Sequence, residues 1–149
     1  MTNPAVQSQE SPALIEDMSF LLARASALSN AAGNAALAEF GLKVRSYSVL
    51  ELAASGTRTS QREIAEFLRL DPSQVVALVD KLQRAKLVAR EPDERDRRAN
   101  VIVATPLGVE TLENARARVR AAAESLHGDL TADERATLTE LLRRTAFPG

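Results

Sequence analysis

"KLVAREPDERDRRANVIVAT", residues 86–105, is the stretch on which the fold turns. Its ends, KLVAR and NVIVAT, are apolar and partly β-branched, the composition of short strands. Between them the nonapeptide REPDERDRR, residues 90–98, carries eight charges, four of each sign, and one proline. Two strands joined by a polar turn form a hairpin, and the charged run is predicted to be its loop. The competing reading is a solvated charge run with no further role.

Upstream of the hairpin, TRTSQREIAEFLRL places Ser60 three residues before Glu63, a capping box, with Ile64, Ala65, Phe67 and Leu68 as the packed face. The next segment opens with Asp71 as N-cap and Pro72 as first helical residue, then continues on a stripe of Val75, Val79 and Leu82. Two short helices with only a tight turn between them are a helix-turn-helix candidate, a weak signal by itself. Followed by a two-stranded hairpin, the pair predicts a winged helix.

The flanks read as helices. Leu14, Met18, Leu21, Ala25 and Leu28, widened by Ile15 and Leu22, predict one helix from Ser11 or Pro12 to Glu39. Its middle, SALSNAAGNAALA, is small and polar, which suits either close helix packing or the wall of a pocket. A second helix is predicted from Lys43 to Ala54, ending near Gly56, with Tyr47, Val49, Leu50 and Leu52 as its apolar residues. Beyond the hairpin, Thr105-Pro106 opens a long helix through Val109, Leu112, Val119, Ala123 and Leu126. Thr131 and Glu134 cap a last one bearing Leu138, Leu141 and Leu142. His127, beside Gly128, is read as a partner for a helix C-terminus.

Composition bounds the function. The chain has 149 residues, enough for one domain with its own core. It has no cysteine, which excludes disulfides, thiolate metal sites and thiol redox sensing, and its one histidine leaves little for a transition metal. No cofactor or metal is expected. No apolar run has membrane-spanning length, residues 1–11 read as a disordered tail, and a cytoplasmic location is expected. Residues 58–98 hold ten Lys/Arg against eight Asp/Glu, a net of +2, inside a chain of net −1. No nucleophile–base pair, phosphate loop or paired metal carboxylates suggest an enzyme. Aromatic residues at 3% give no stacking platform for single strands.

LVDKLQRAKLVAREPDERDRRANVIVATPLG, residues 78–108, resembles the MarR family of bacterial transcriptional regulators. Leu82, Leu87, Val88, Arg90, Asp93, Asp96, Arg98, Val101, Thr105 and Gly108 all occupy positions of that family's pattern. The resemblance extends more weakly over residues 14–145. Lys86 departs from it, since the family commonly has glycine there. A left-handed residue would cost lysine ~1 kcal/mol relative to glycine, so a different helix ending is expected. Ala104 stands where the family usually has leucine.

The resemblance implies a mainly α chain: a winged-helix DNA-binding lobe at 42–104, and a helical dimerisation region from 12–39 and 105–147. It implies a regulator, repressor by default, that binds a pseudo-palindromic double-stranded operator as a homodimer. The apolar stripes from Leu14 to Leu28 and from Val109 to Leu142 are too long for a small winged helix to cover alone. The rival reading is a winged helix that binds protein without specific DNA binding.

Major-groove readout needs small or polar side chains in the first turns of the recognition helix, here Ser73, Gln74, Ala77 and Lys81. Gln74 either pairs with adenine or simply closes the cap begun by Asp71. Arg62 suits a phosphate. In the wing, Arg90, Arg95, Asp96, Arg97 and Arg98 are the candidates. By resemblance Arg98 enters the minor groove, aimed by Asp96 two residues earlier on the same strand face, and Arg95 and Arg97 meet phosphates. Family members commonly release DNA on binding a small, often aromatic or phenolic, ligand. Ser26, Asn30, Arg45, Ser46 and Tyr47 are the pocket candidates, against a plainer reading of Arg45 as surface charge and Tyr47 as core.

Overall fold

The computed structural model describes residues 12–149, so the tail expected at 1–11 lies outside the described residues. Seven helices and one two-stranded antiparallel sheet follow in the order α1 (Pro12–Ile15), α2 (Met18–Leu37), α3 (Val44–Ala54), α4 (Gln61–Leu68), α5 (Pro72–Arg84), β1 (Val88–Pro92), β2 (Asn100–Ala104), α6 (Pro106–Leu126) and α7 (Ala132–Ala146). The winged-helix order read from the sequence is present.

One expected helix is two. The chain breaks before Met18, where Asp17 leaves the helical region and its carboxylate accepts the Phe20 N–H at 2.7 Å. A short acidic side chain competes with the helix for backbone donors, so it restarts the helix instead of continuing it. The apolar periodicity runs unbroken across the joint, which hid it. At the other end, residues 38–40 form a 3-10 turn closed by Gly41 at φ 66°.

The hairpin pairs Val88 with Ala104 through Pro92 with Asn100, and the Asp93 N–H donates to the Ala99 carbonyl at 3.0 Å. The loop is therefore residues 93–99. Arg90, Glu91 and Pro92, expected in the loop, belong to β1, because their alternation continues the pleat of the strand. A third strand is only a single bridge, Ser60 to Val101, with the Ile102 N–H donating to Thr59 at 2.9 Å.

The caps form as their sequences predict. Ser60 accepts the Glu63 N–H at 3.2 Å while Glu63 accepts the Ser60 N–H at 2.8 Å, and Thr131 with Glu134 does the same at 3.2 and 2.7 Å. Helices α4 and α5 bury Ile64, Ala65, Val75, Val79 and Leu82 against Leu37, Val49 and Leu50, with Val88 and Ile102 below and Leu112 and Ala115 of α6 closing the side. The core thus sits in the winged-helix lobe.

The end of α5 was expected to differ from the family's because of Lys86. It does not: Lys86 adopts φ 62°, and its N–H and that of Leu87 donate to Gln83 and Leu82 at 2.9 and 3.0 Å, a Schellman ending made without glycine. The contact it serves is tight. Thr105, N-cap of α6, donates its hydroxyl to the Lys86 carbonyl at 2.6 Å and its N–H to the Leu87 carbonyl at 3.0 Å. A Cβ on Gly108 would stand 2.0 Å from that same Leu87 oxygen.

Outside this lobe packing is thin. Helix α7 buries no residue and α2 buries only Leu37. Met18 is 70% exposed and Leu141 51%, with Leu21, Leu28, Leu138 and Leu142 also open. The stripe expected on α6 divides, since Leu112 and Ala115 turn into the lobe while Val109 stays exposed.

Two substitutions test this account of the junction by urea denaturation. Lys86→Gly relieves the left-handed cost and should raise stability by about 1 kcal/mol. Gly108→Ala drives a methyl into backbone and should lower it by several times that, on the order of 3 kcal/mol.

Candidate nucleic-acid interface

Helix α5 presents Ser73, Ala77 and Asp80 opposite its buried Val75, Val79 and Leu82, as a 3.6-residue period requires. Its first turn is occupied by capping. The Asp71 carboxylate accepts the Ser73 N–H at 2.8 Å and also the Ser73 hydroxyl, while Gln74 Oε1 accepts the Asp71 N–H at 3.3 Å. These bonds, the Ser73 hydroxyl foremost, hold the Asp71 carboxyl below its ordinary range. Gln74 thus closes the cap begun by Asp71, and its side chain remains exposed. Ala77 and Lys81 are exposed and make no side-chain hydrogen bond among the described residues.

Arg62, near the start of α4, is exposed, with Nε donating to Glu66 Oε1 at 3.0 Å. A solvated pair of this kind is easily exchanged for a phosphate.

The wing arginines separate into two kinds. Arg90 is engaged inward: Nε donates to Gln61 Oε1 at 2.9 Å, one terminal nitrogen to Gln83, and the other to Asp80 Oδ1 at 2.6 Å. Its side chain is 23% exposed. It ties β1 to the start of α4 and the end of α5, and stands as a positioning group where a DNA contact was expected. Arg95 lies against Asp93 at 3.3 Å and within 3.7 Å of Glu63, so it bridges the wing to the α4 cap. Asp93 is nearly buried, and its carboxyl sits below the usual range because it accepts the Arg95 N–H and then its guanidinium. Arg97 and Arg98 make no side-chain hydrogen bond or ion pair among the described residues, and both are exposed.

Asp96 does not share a strand face with Arg98, since both lie in the 93–99 loop. Its Oδ1 accepts the Arg98 backbone N–H at 3.0 Å, and its carbonyl accepts the Ala99 N–H at 3.0 Å. Asp96 therefore shapes the turn from which Arg98 projects and does not grip the guanidinium. A short carboxylate reaches a backbone N–H two residues on more readily than a long side chain's tip. An open groove between wing and α4 carries Arg62, Arg95 and Arg98 together.

The five pocket candidates do not converge. Ser46 is buried in the α3 cap, accepting the Lys43 N–H at 2.9 Å and donating to the Lys43 carbonyl at 3.0 Å. Arg45 and Asn30 are exposed. Ser26 lines an open apolar groove between α2, α6 and α7. Tyr47 alone borders a cavity of about 170 Å³ between α2, α3 and α6, with Gly33, Val44 and Val119. The small residues of α2 serve both uses considered for them. A Cβ on Gly33 would lie 2.7 Å from Val44 Cγ2, and the same stretch walls the cavity.

Sequence reasoning missed a cluster beside that cavity. Arg116 of α6 makes a two-pronged pair with Glu51 of α3 at 2.8 and 2.7 Å, and the Tyr47 hydroxyl donates to Glu51 at 2.9 Å. Burial, then the neighbouring Glu51, pushes the Tyr47 hydroxyl up to about 12, while Arg116 holds the Glu51 carboxyl low. Sixty-five residues separate Arg116 from Glu51, so no local spacing announces the pair. Asn34 was missed likewise: its Oδ1 accepts the Val44 N–H at 2.8 Å and caps α3 from α2.

Loss of Arg90 strands Asp80, Gln61 and Gln83 together, whereas the Arg97 and Arg98 side chains make no hydrogen bond or ion pair among the described residues. Arg90→Ala should cost about 1–2 kcal/mol in urea denaturation, discounted for the exposure of Asp80, while Arg97→Ala and Arg98→Ala should each cost less than about 0.5 kcal/mol.

A family model described as MarR family matches residues 40–99. A transcriptional regulator of that family from Rhodococcus sp. RHA1 is 40% identical, with 93% of this chain and 99% of that one covered and a TM-score of 0.88. CouR from Rhodococcus jostii RHA1, solved with p-coumaroyl-CoA, is 41% identical over 93% of this chain and 98% of that one, at a TM-score of 0.83. A transcriptional repressor CouR bound to a 23-mer DNA duplex is 27% identical, with the same shares covered and a TM-score of 0.84. The putative transcriptional regulatory protein for the hcr operon of Thauera aromatica is 31% identical over 98 residues, 66% of this chain and 59% of that protein's length. With this likeness running through the winged helix and the outer helices alike, the chain belongs to the MarR family of transcriptional regulators.

Proposed function

We propose that the chain is a homodimeric regulator that binds a pseudo-palindromic double-stranded operator, represses by default, and lets go when a small aromatic ligand binds. The observation that carries this reading is the pair of unpartnered arginines, Arg97 and Arg98, on a wing whose neighbour Arg90 is locked to the recognition helix. Two exposed guanidiniums without an ion pair among the described residues, on the wing beside an exposed α5, suit a duplex whose phosphates and grooves lie within reach of both elements. The minor groove attracts them, since its narrow stretches concentrate negative potential.

Dimerisation is supported by the outer helices. Met18, Leu21, Leu22, Leu138 and Leu142 line one open apolar groove between α2 and α7, and a second copy supplies matching helices. The described residues contain no helix long and apolar enough to cross a membrane. The same two-fold axis places two recognition helices about one DNA turn apart. An aromatic effector is supported by CouR, solved with p-coumaroyl-CoA, and by the cavity beside Tyr47, where Glu51 and Arg116 join α3 to α6.

A regulator is favoured over an enzyme because the Ser60–Glu63 and Thr131–Glu134 pairs, the nearest things to hydroxyl–carboxylate couples, close helix ends. Such a regulator works where the chromosome is, in the cytoplasm.

Arg98→Ala should weaken binding to a duplex selected by the protein by tenfold or more, on the order of 1.4 kcal/mol, with little change in melting temperature. Arg97→Ala should lower the slope of log K against log salt by about one. Equal binding by the Arg98 variant, or a monomer by sedimentation at micromolar concentration, contradicts the reading.

A further inference from the structure

Among the described residues, the recognition helix offers less hydrogen-bonding capacity than its sequence suggests. Ser73 donates its hydroxyl to Asp71, Gln74 holds its carbonyl oxygen in the cap, and Asp80 accepts from Arg90. A glutamine needs both amide atoms to pair with the N6/N7 edge of adenine, and in this structure the Gln74 oxygen is already shared with the Asp71 N–H. Besides Ser73 and Gln74, the first two turns also expose apolar side chains. Val76 is 40% exposed, on the shoulder of α5 turned toward α4, where it shares an open groove with Arg62 and Arg69. Ala77 follows it on the outward face.

An uncovered valine beside two arginines on a DNA-facing helix calls for a particular partner. The arginines favour phosphate, and the valine needs an apolar group within the same reach. Major-groove edges present one such group, the C5-methyl of thymine. Resting on the reading of the chain as a duplex binder, we propose that Val76 and Ala77 are its base-reading residues and that they recognise thymine methyls. Specificity then comes from apolar contact at adjacent thymine-bearing steps of each half-site, with Gln74 serving the fold.

The test uses the full-length protein and duplexes it selects from a random library, resynthesised with deoxyuridine in place of thymine. Uridine pairs as thymine does and lacks only the methyl. Each contacted methyl should be worth about fourfold in affinity, so the wild type should bind the uridine duplex tenfold or more weakly. Val76→Thr, which keeps the shape and replaces a methyl by a hydroxyl, and Val76→Ala should both bring the two duplexes closer in affinity while retaining the wild-type melting temperature. Equal affinity of the wild type for both duplexes overturns the proposal and leaves duplex binding intact. A large thymine preference unchanged in both Val76 variants overturns the assignment to Val76. Failure of any duplex to be enriched removes the DNA-binding reading itself, and the proposal with it.

Discussion

One peptide carbonyl, that of Leu87, fixes the geometry of the molecule. It accepts the Thr105 N–H, lies against the bare Cα of Gly108, and belongs to the residue whose own N–H ends α5. The end of the recognition helix, the first residues of β1, the exit of β2 and the start of α6 therefore meet at a single point. Nothing bulkier than hydrogen fits on Gly108, and Lys86 must turn left-handed to bring the carbonyl there. The strain at Lys86 is the cost of that approach. Arg90, the Arg95–Glu63 pair and the Ser60–Val101 bridge then hold the wing against α4 and α5.

This arrangement divides the molecule by function. The lobe is packed to full burial at Val49, Leu50, Ile64, Val75, Val79 and Ile102, so wing and recognition helix share one core. The outer helices leave leucines and a methionine in water, an arrangement that a second copy of the chain corrects. The two regions meet through Leu37 and the α6 residues that enter the core, the Thr105–Leu87 junction, the Asn34 cap on α3 and the Arg116–Glu51 pair. The cavity bordered by Tyr47 lies at this seam, between α2, α3 and α6.

Much of this was legible in the sequence because it is local. Capping boxes, a proline at the start of α5 and of α6, and a β-branched hairpin are each written within a few residues, and each forms as read. Several of the errors share one cause, the choice among partners for a polar side chain. Asp17 takes a backbone N–H and splits a helix whose apolar rhythm never falters. Asp96 takes the Arg98 backbone and not its guanidinium. Arg90 carries the same charge as Arg97 and Arg98, yet strand register points it at Asp80 while they face solvent. Gln74 was given two readings and the nearest donor decided. The Arg116–Glu51 contact depends on how α6 crosses α3, which no spacing encodes, and the five pocket candidates scattered for the same reason.

The account stands on wing and recognition helix occupying neighbouring grooves of one duplex, twice, about a dyad. Hydroxyl-radical footprinting reads the minor groove directly. On a duplex selected by the wild-type protein, the account predicts a two-fold symmetric pattern whose outer minor-groove protections vanish in Arg98→Ala while the central pattern persists. A single asymmetric patch, or outer protections unaltered by the substitution, would contradict it.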